Sequence, residues 1–417
     1  MDRFIIEGSR DLSGSINVSG AKNAILPAMA TALLAAGKST LLNVPNLIDL
    51  KTMSHLLRVL GARVEYEAGS MAIDASDLCY NEAPYELVSK MRASVYVLGP
   101  LLARLKEARV SFPGGCAIGT RPVDLHLKAM EALGATINLE HGYIHAVAKE
   151  LKGADIHFEK SSVGATINAL MAAVLAKGTT RMFNAAMEPE VDSTIDMLNQ
   201  MGARITGVGS TTLTIEGVES LNPVEIRMIP DRIEAGTFLI VGALSTAPIT
   251  VTNCQPDHLE ALITQLRSAG CELEIEESSI TVIPPKVIKP TDIITLPHPG
   301  FPTDLQAQFT VLMAHADGIS YVEDTVFPDR FMHVAELNRL QANITMNRNV
   351  ATIKGVPQLS GAEVMATDLR ASAALVLAGM AAKGQTIVSR IYHIDRGYDR
   401  IEEKLNGIGA RITRENA

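Results

Sequence analysis

The sequence predicts a mixed α/β (α+β) fold built from six copies of one unit, divided between two domains. Three observations support this prediction. The chain has 417 residues, which is more than a single hydrophobic core usually organises. A phrase of alternating apolar and polar residues recurs along the chain. A helical segment of small apolar residues recurs in step with that phrase, which is the signature of internal repetition.

The alternating phrase surrounds a turn in each copy, which is typical of a β-hairpin. Its copies begin about 70 residues apart. They are LGARVEYEAGSMAIDA, LGATINLEHGYIHAVA, MGARITGVGSTTLTIEG, AGCELEIEESSITVIP, LQANITMNRNVATIKG and IGARITRENA. Each copy is therefore expected to contribute one hairpin.

The remaining parts of each unit follow the same order of helix, strand and second helix. The first helix is small and apolar throughout, as in VGATINALMAAVLAKG, which suits close packing in a domain interior. The second helix is amphipathic, as in VDSTIDMLNQMGA. A solenoid of stacked units is the alternative. The alternative is weaker because the polar residues at the starts of the first helices differ from unit to unit, as expected of residues in a site.

Composition excludes several classes of protein. The formal net charge is −9 and the sequence contains no run of lysines and arginines, so a nucleic-acid partner is not expected. The longest apolar run, 24–36, is too short for a membrane span. Four scattered cysteines argue against a disulfide framework or zinc site, and no metal or other cofactor is expected. With no signal segment, the expected location is a reducing cytoplasm. The cysteines other than Cys116 are expected to be packing residues.

Polar residues gather where the six small-residue helices begin. A helix N-terminus offers unpaired N–H groups and a partial positive charge, so it attracts anions. Capping alone explains a serine or aspartate there about as well. A cation opposes the helix dipole, and a bound anionic ligand would resolve that conflict. The residues concerned are Lys22, Asn23, Arg92, Lys160, Ser162, Asp231, Arg232, Asp304, Asp368 and Arg370.

Seven motifs together resemble those of the UDP-N-acetylglucosamine enolpyruvyl transferases (1-carboxyvinyltransferases), and the resemblance spans almost the whole chain. The motifs are SGAKNA, PGGCAIGTRPVDLHL, SVGAT, PDRIEAGTF, FPTDLQAQF, MATDLRASAALVLAG and RIYHIDRGY. The resemblance implies two inside-out α/β barrel domains, each with threefold internal repeats. The first would be 21–229, and the second 1–20 plus 230–417. It also implies that the N-terminal strand segment joins the C-terminal domain.

The same resemblance implies a reaction, the first committed step of peptidoglycan synthesis. The enolpyruvyl group of phosphoenolpyruvate moves to the 3-hydroxyl of UDP-N-acetylglucosamine by addition and elimination, and phosphate leaves. Cys116 would be the general acid, since a thiol of pKa about 8.5 holds its proton near neutrality yet can release it. Cys116 would also be the covalent target of fosfomycin, on a lid at 112–122. Asp304 matches the family's base at the sugar hydroxyl.

The remaining site residues are assigned by the same motifs. Lys22, Arg121, Arg370 and Arg396 match the cations that hold phosphoenolpyruvate, and Lys22 and Arg396 are counted with Cys116 and Asp304 as catalytic. His126 and Asp231 are held as supporting residues, since a satisfied histidine or a helix cap is as good an explanation. The residues matched to UDP-N-acetylglucosamine are Asn23, Arg92, Arg121, Pro122, Val123, Asp124, Leu125, Lys160, Ser161, Ser162, Val163, Gly164, Asp304, Val326 and Arg330.

Two alternative functions are considered together with this hypothesis. One is the shikimate-pathway enolpyruvyl transferase, which shares the fold but does not resemble this chain around the cysteine loop. The other is a regulatory sugar-nucleotide sensor without catalysis. Loss of Cys116, Asp304 or an arginine that binds phosphate would mark such a sensor, and all of them are present.

Overall fold

The structure, a computed structural model, describes residues 2–112 and 123–416. Three predicted site residues, Cys116, Arg121 and Pro122, lie outside these described residues. Helices and strands alternate along the chain, and the prediction of a mixed α/β fold is confirmed. The inside-out barrels and their threefold repetition stay predictions.

The strands are short, and most of them alternate buried and accessible residues as the sequence predicts. In chain order they are β1 (Arg3–Glu7), β2 (Gly14–Asn17), β3 (Lys38–Leu42), β4 (Arg63–Glu67), β5 (Ser70–Asp74), β6 (Glu82–Ala83), β7 (Glu107–Ser111), β8 (Thr136–Glu140), β9 (Tyr143–Val147), β10 (Asp155–His157), β11 (Thr179–Phe183), β12 (Arg204–Thr206), β13 (Thr212–Glu216), β14 (Glu225–Arg227), β15 (Ile249–Thr252), β16 (Glu272–Ile275), β17 (Ser279–Ile283), β18 (Ile293–Thr295), β19 (Ile319–Asp324), β20 (Asn343–Asn347), β21 (Val350–Lys354), β22 (Glu363–Met365), β23 (Gln385–Ser389) and β24 (Arg411–Glu415).

The helices include both buried apolar ones and amphipathic ones. In chain order they are α1 (Lys22–Thr31), α2 (Ile48–Val59), α3 (Tyr85–Val88), α4 (Leu98–Leu105), α5 (Asp124–Ala132), α6 (Val163–Ala173), α7 (Pro189–Gln200), α8 (Arg232–Leu244), α9 (Glu260–Ser268), α10 (Gln306–Met313), α11 (His333–Arg339), α12 (Leu369–Ala381) and α13 (Ile401–Asn406). Short 3₁₀ helices occupy Ala32–Leu34, Arg92–Val97, Pro256–Leu259, Thr303–Leu305 and Ile391–Arg396.

The chain divides into two compact units. The inner unit consists of the described residues of 20–229, and the terminal unit combines Met1–Ser19 with Pro230–Ala417. Each unit has its own hydrophobic core. The inner core surrounds α1, α4 and α6, and the terminal core surrounds α8, α10 and α12. These helices are buried on nearly every side, because their small apolar residues allow neighbouring backbones to approach closely.

All the described strands belong to six four-stranded sheets, and each sheet has the same pairing. A short edge strand lies parallel to its neighbour, which pairs antiparallel with the first of two further antiparallel strands. In the inner unit the sheet orders are β14-β3-β5-β4, β6-β7-β9-β8 and β10-β11-β13-β12. In the terminal unit they are β16-β17-β15-β2, β18-β19-β21-β20 and β22-β23-β1-β24.

The sixth predicted hairpin is not local in sequence. The phrase IGARITRENA supplies only β24, and its antiparallel partner is β1 from the other end of the chain. Strand β1 also pairs antiparallel with β23, so it lies inside its sheet. In the same way β2 pairs parallel with β15. Both N-terminal strands therefore complete sheets of the terminal unit.

The cysteines fit the packing expectation in part. Cys254 and Cys271 are buried, with 2 % and 5 % of their surfaces exposed, and burial raises the pKa of each thiol to about 11. Cys79 is exposed, so the expectation of a packing role is wrong for this residue. It follows β5 on a surface segment rather than a strand or helix that faces a core.

No helix among the described residues is long and apolar enough to cross a membrane.

Candidate functional site

A charged and largely buried cluster of the terminal unit centres on Asp304. This residue lies in the 3₁₀ helix that leads into α10. One carboxylate oxygen, Oδ1, accepts a hydrogen bond from Arg330 Nη1 at 2.6 Å, and Oδ2 accepts one from Arg370 Nη2 at 2.8 Å. The side chains of Arg330 and Arg370 are only 8 % and 4 % exposed, whereas that of Asp304 is 25 % exposed. Three residues predicted separately therefore form one charged cluster, in which the side chain of Asp304 is the most exposed of the three.

The ion pairs determine the protonation states in this cluster. Burial alone would raise the pKa of Asp304, but Arg370 and Arg330 outweigh it and hold the pKa well below its usual value. Burial alone would lower the pKa of Arg370, but Asp304 reverses that effect and raises it. Asp304 is thus an anion and a weak base as long as both guanidinium groups contact it.

Arg370 is held from its other side by a buried hydroxyl. Its Nη1 donates to Tyr398 Oη at 3.3 Å. The same hydroxyl lies 2.8 Å from Thr237 Oγ1 of α8 and accepts from Gln308 Nε2 of α10 at 3.3 Å. Because Tyr398 thereby contacts one residue from each of α8, α10 and α12, it joins the three core helices below the Asp304 cluster. Burial raises the pKa of Tyr398, so its hydroxyl keeps its proton.

Two predicted polar residues at helix starts are caps. Asp231 accepts hydrogen bonds from the backbone N–H groups of Ile233 and Glu234, and Asp368 accepts them from Arg370 and Ala371. A carboxylate in this position satisfies N–H groups that the helix leaves unpaired. The cap at Asp368 also places Arg370 in the first turn of α12.

Arg396 lies at the end of the 3₁₀ helix that follows β23 and is partly buried. The neighbouring carboxylate of Asp395 binds Arg414, with Nη2 and Nη1 at 2.6 and 3.0 Å from its two oxygens. Arg414 also donates from Nε to Glu402 at 2.8 Å. These bonds attach the segment that carries Arg396 to the C-terminal strand β24.

In the inner unit, Lys22 forms a buried ion pair. Its Nζ lies 3.1 Å from Asp49 Oδ2, and the side chains are 11 % and 5 % exposed. Lys22 is the first residue of α1, and Asp49 lies in the first turn of α2. The sequence argument expects an external anion to offset a cation at a helix start. For Lys22 and for Arg370 the protein itself supplies a carboxylate partner, and the expectation that these cations bind an external anion stays a prediction.

His126 joins the starts of α5 and α6. It is 6 % exposed, and its Nδ1 lies 3.1 Å from Nδ2 of Asn168. A Cβ on Gly164 would stand 3.1 Å from Cε1 and Nε2 of the imidazole. Burial, with a smaller contribution from Arg92, lowers the pKa of His126 to about 3, so it is neutral near pH 7. The structural explanation of His126 therefore applies, and the two segments predicted to bind uridine lie side by side.

The other predicted residues of the inner unit also lie at helix starts. Arg92 begins the 3₁₀ helix before α4, and Asn23 follows Lys22 in α1. Ser162 caps α6 by accepting from Ala165 N at 3.4 Å. Apart from Val123, which is buried, these residues are partly or fully accessible: Asn23, Arg92, Asp124, Leu125, Lys160, Ser161, Ser162, Val163 and Gly164.

Residue Val326 of the terminal unit lies two residues beyond β19 and is partly buried. Its backbone N–H donates to Asp324 Oδ1 at 3.0 Å.

Asp49, Asp324 and Tyr398 were missed by the sequence reasoning. Tyr398 stands within a quoted motif, so that motif could have identified it. In the sequence, Asp49 looks like an ordinary acidic residue in the first turn of a helix, and Asp324 looks like an ordinary residue at the end of a strand. Among residues 2–112 and 123–416, no group of three or more His, Cys, Asp or Glu side chains could hold a metal.

Comparison with known proteins gives consistent results. Residues 6–405 match the family model of EPSP synthase (3-phosphoshikimate 1-carboxyvinyltransferase). A protein of Desulfosudis oleivorans, named UDP-N-acetylglucosamine 1-carboxyvinyltransferase, is 55 % identical over 99 % of both chains. A protein of the same name from Desulfatibacillum aliphaticivorans is 55 % identical, over 99 % of this chain and 100 % of its own. The crystal structure of the enolpyruvyl transferase NikO from Streptomyces tendae superposes with a TM-score of 0.90 at 27 % identity, covering 100 % of this chain and 99 % of NikO.

Proposed function

Because the chain belongs to the EPSP synthase family, and within it to the UDP-N-acetylglucosamine 1-carboxyvinyltransferases, we propose that it catalyses the reaction in that name. The enolpyruvyl group of phosphoenolpyruvate is transferred to the 3-hydroxyl of UDP-N-acetylglucosamine, and phosphate is released. This is the first committed step of peptidoglycan synthesis, and we place it in the cytoplasm. The observation that carries the proposal is 55 % identity over 99 % of the chain.

The chemistry requires an acid at C3 of phosphoenolpyruvate, and we assign Cys116. Its thiol proton goes to C3, which leaves C2 electrophilic. The oxygen of the sugar hydroxyl then bonds to C2 and gives up its proton. Loss of a proton from C3 and cleavage of the C2–O bond to phosphate restore the double bond. The same thiol is proposed to open the epoxide of fosfomycin and to bind it covalently.

Asp304 is the proposed acceptor of the sugar hydroxyl proton. Its side chain is partly exposed, which supports this role, but its two ion pairs make it a weak base. A guanidinium group that turned toward the phosphate or carboxylate of phosphoenolpyruvate would withdraw part of its charge from Asp304. The base would then strengthen when the second substrate is present. General acid–base catalysis of this kind is typically worth about 10²–10⁴-fold.

The cations assigned to phosphoenolpyruvate are Lys22, Arg121, Arg370 and Arg396. Arginine suits phosphate and carboxylate because its planar fork donates two parallel hydrogen bonds. The burial of Arg370 between Asp304 and Tyr398 supports its assignment, since a fixed guanidinium loses little entropy when it binds.

UDP-N-acetylglucosamine is assigned to the starts of α5 and α6 together with the loop after β19. The contact of Gly164 with His126 supports a shared surface for the uridine. The residues proposed to bind this substrate are Asn23, Arg92, Arg121, Pro122, Val123, Asp124, Leu125, Lys160, Ser161, Ser162, Val163, Gly164, Asp304, Val326 and Arg330. We propose that the two domains, 21–229 and 1–20 plus 230–417, correspond to the inner and terminal units.

Phosphate release from phosphoenolpyruvate tests the function. We expect release with UDP-N-acetylglucosamine as acceptor and none with shikimate 3-phosphate. Prior treatment with fosfomycin, or Cys116→Ala, should abolish it. Cys79→Ala is the matched control, because Cys79 is an exposed cysteine that belongs to no assigned motif. Turnover with shikimate 3-phosphate in place of UDP-N-acetylglucosamine would contradict the proposal.

A further inference from the structure

A buried carboxylate outside the assigned site gathers three segments around Asp304. Asp324, the last residue of β19, is completely buried. Its Oδ1 accepts from Thr295 Oγ1 at 2.7 Å and from the backbone N–H groups of Val326 and Phe327 at 3.0 and 2.7 Å. Its Oδ2 accepts from Thr303 Oγ1 at 2.6 Å. All four donors are neutral groups, and they belong to the end of β18, the 3₁₀ helix of Asp304 and the loop after β19.

The hydroxyl of Thr303 connects Asp324 with the ion pair. A hydroxyl has one proton to donate and two lone pairs that accept. Thr303 donates that proton to Asp324 Oδ2. The Thr303 oxygen is then turned toward Arg330, whose Nη1 donates to it at 3.2 Å. The same Nη1 contacts Asp304 at 2.6 Å. The hydrogen bond to Asp324 thereby sets the direction of the hydroxyl that holds Arg330 against Asp304.

We infer that Asp324, acting through Thr303, is a positioning residue of the transferase site. It orients Arg330 and Asp304 and fixes the backbone of Val326 beside them. This inference rests on the proposed function for its kinetic consequence, but not for its geometry. Asp324 contacts no substrate in this scheme, so its role is distinct from the roles assigned to Asp304 and Arg330.

The test compares Thr303→Val with Thr303→Ser. Valine has nearly the shape of threonine but no hydroxyl, whereas serine keeps the hydroxyl. We expect Thr303→Val to lower kcat/KM for UDP-N-acetylglucosamine by about tenfold or more, the scale of one lost buried hydrogen bond. Thr303→Ser should retain most of the activity. Asp324→Asn should resemble Thr303→Val, because its amide donates toward Thr303 and turns the hydroxyl proton toward Arg330.

The pH profile separates positioning from a general loss of stability. Among the described residues, the charged groups that contact Asp304 are Arg330, from the loop after β19, and Arg370, from α12; Tyr398 contacts Arg370. If Arg330 is held less firmly, the pKa of Asp304 rises, and the acid limb of kcat/KM moves to higher pH in Thr303→Val but not in Thr303→Ser. Equal activities and equal acid limbs in the valine and serine variants would overturn the inference.

A measurement without substrate keeps this test independent of the proposed function. Carboxyl ¹³C NMR of protein labelled at aspartate Cγ, with Asp304→Asn for assignment, reports the titration of Asp304 directly. We expect its midpoint to rise in Thr303→Val and to stay at the wild-type value in Thr303→Ser. An unchanged midpoint in Thr303→Val overturns the inference even where phosphate release confirms the function. Absence of phosphate release by the wild type, with the expected NMR shift, defeats only the function.

Discussion

Asp304→Asn is expected to destabilise the terminal unit, because it leaves two buried arginines without their carboxylate. The nitrogen–oxygen distances are 2.6 and 2.8 Å, so each attraction is about 6 kcal/mol at an effective dielectric constant near 20. Desolvation opposes most of this attraction. Removing one partner of a buried pair costs about 3–5 kcal/mol. Because Asp304 is 25 % exposed, we expect the lower end of that range, about 3 kcal/mol.

The assay is thermal unfolding at pH 7, followed by calorimetry. A loss of about 3 kcal/mol corresponds to a melting temperature lower by about 6–12 °C for a unit of this size. The matched control is Asp317→Asn. Asp317 is exposed, and substitutions at ordinary surface positions usually change stability by less than about 0.5 kcal/mol. Inorganic phosphate should restore more stability to Asp304→Asn than to the wild type, because it replaces the missing anion. If Asp304→Asn melts at the wild-type temperature, the arginines do not depend on this carboxylate and the reasoning fails.

Three further predictions concern pH and packing. The pKa of Asp304 is lower in the folded chain than in the unfolded chain, where it is about 4. The ionised carboxylate therefore stabilises the fold above about pH 4, and this stabilisation is lost as the pH falls below about 4. Urea unfolding from pH 6 to 2.5 should show this loss in the wild type and less of it in Asp304→Asn. His126, with a pKa of about 3 in the folded chain and about 6.5 unfolded, makes the fold less stable as pH falls below 6.5. Between pH 7 and 5, His126→Gln should therefore lose about 2 kcal/mol less than the wild type in urea unfolding, and parallel pH curves would contradict this. Gly99→Ala would place a Cβ 2.6 Å from both the backbone oxygen and Oδ1 of Asn168. Denaturant unfolding should therefore show that the free energy of unfolding falls by about 1–3 kcal/mol. A variant as stable as its parent would show that α4 and α6 separate freely.

Local patterns predicted most of the secondary structure. Alternation identified five hairpins, and small apolar residues identified the core helices, because both signals lie within one short segment. The partner of β24 could not be found in this way. That partner, β1, stands at the opposite end of the chain, and its pairing depends on how the whole terminal unit closes.

The site was predicted as a set of residues but not as a set of contacts. Asp304, Arg330 and Arg370 were each assigned to a substrate, yet their strongest contacts in the described structure are with each other. The dipole argument for Lys22 did not include Asp49, because an acid in the first turn of a helix has a sufficient local explanation. Asp324 had no local signal, since its role comes from three segments that only tertiary structure brings together.

The two N-terminal strands have a consequence for synthesis on the ribosome. Residues 3–7 and 14–17 are translated before the strands with which they pair, since β1 needs β23 and β24, and β2 needs β15. The inner unit draws all its described sheets from residues 38–227 and can fold while the rest of the chain is still being made. Strand β2 must wait until β15 has been made, and β1 must wait for β23 and then β24. A chain truncated shortly before residue 411 would therefore retain a folded inner unit beside an incomplete terminal unit.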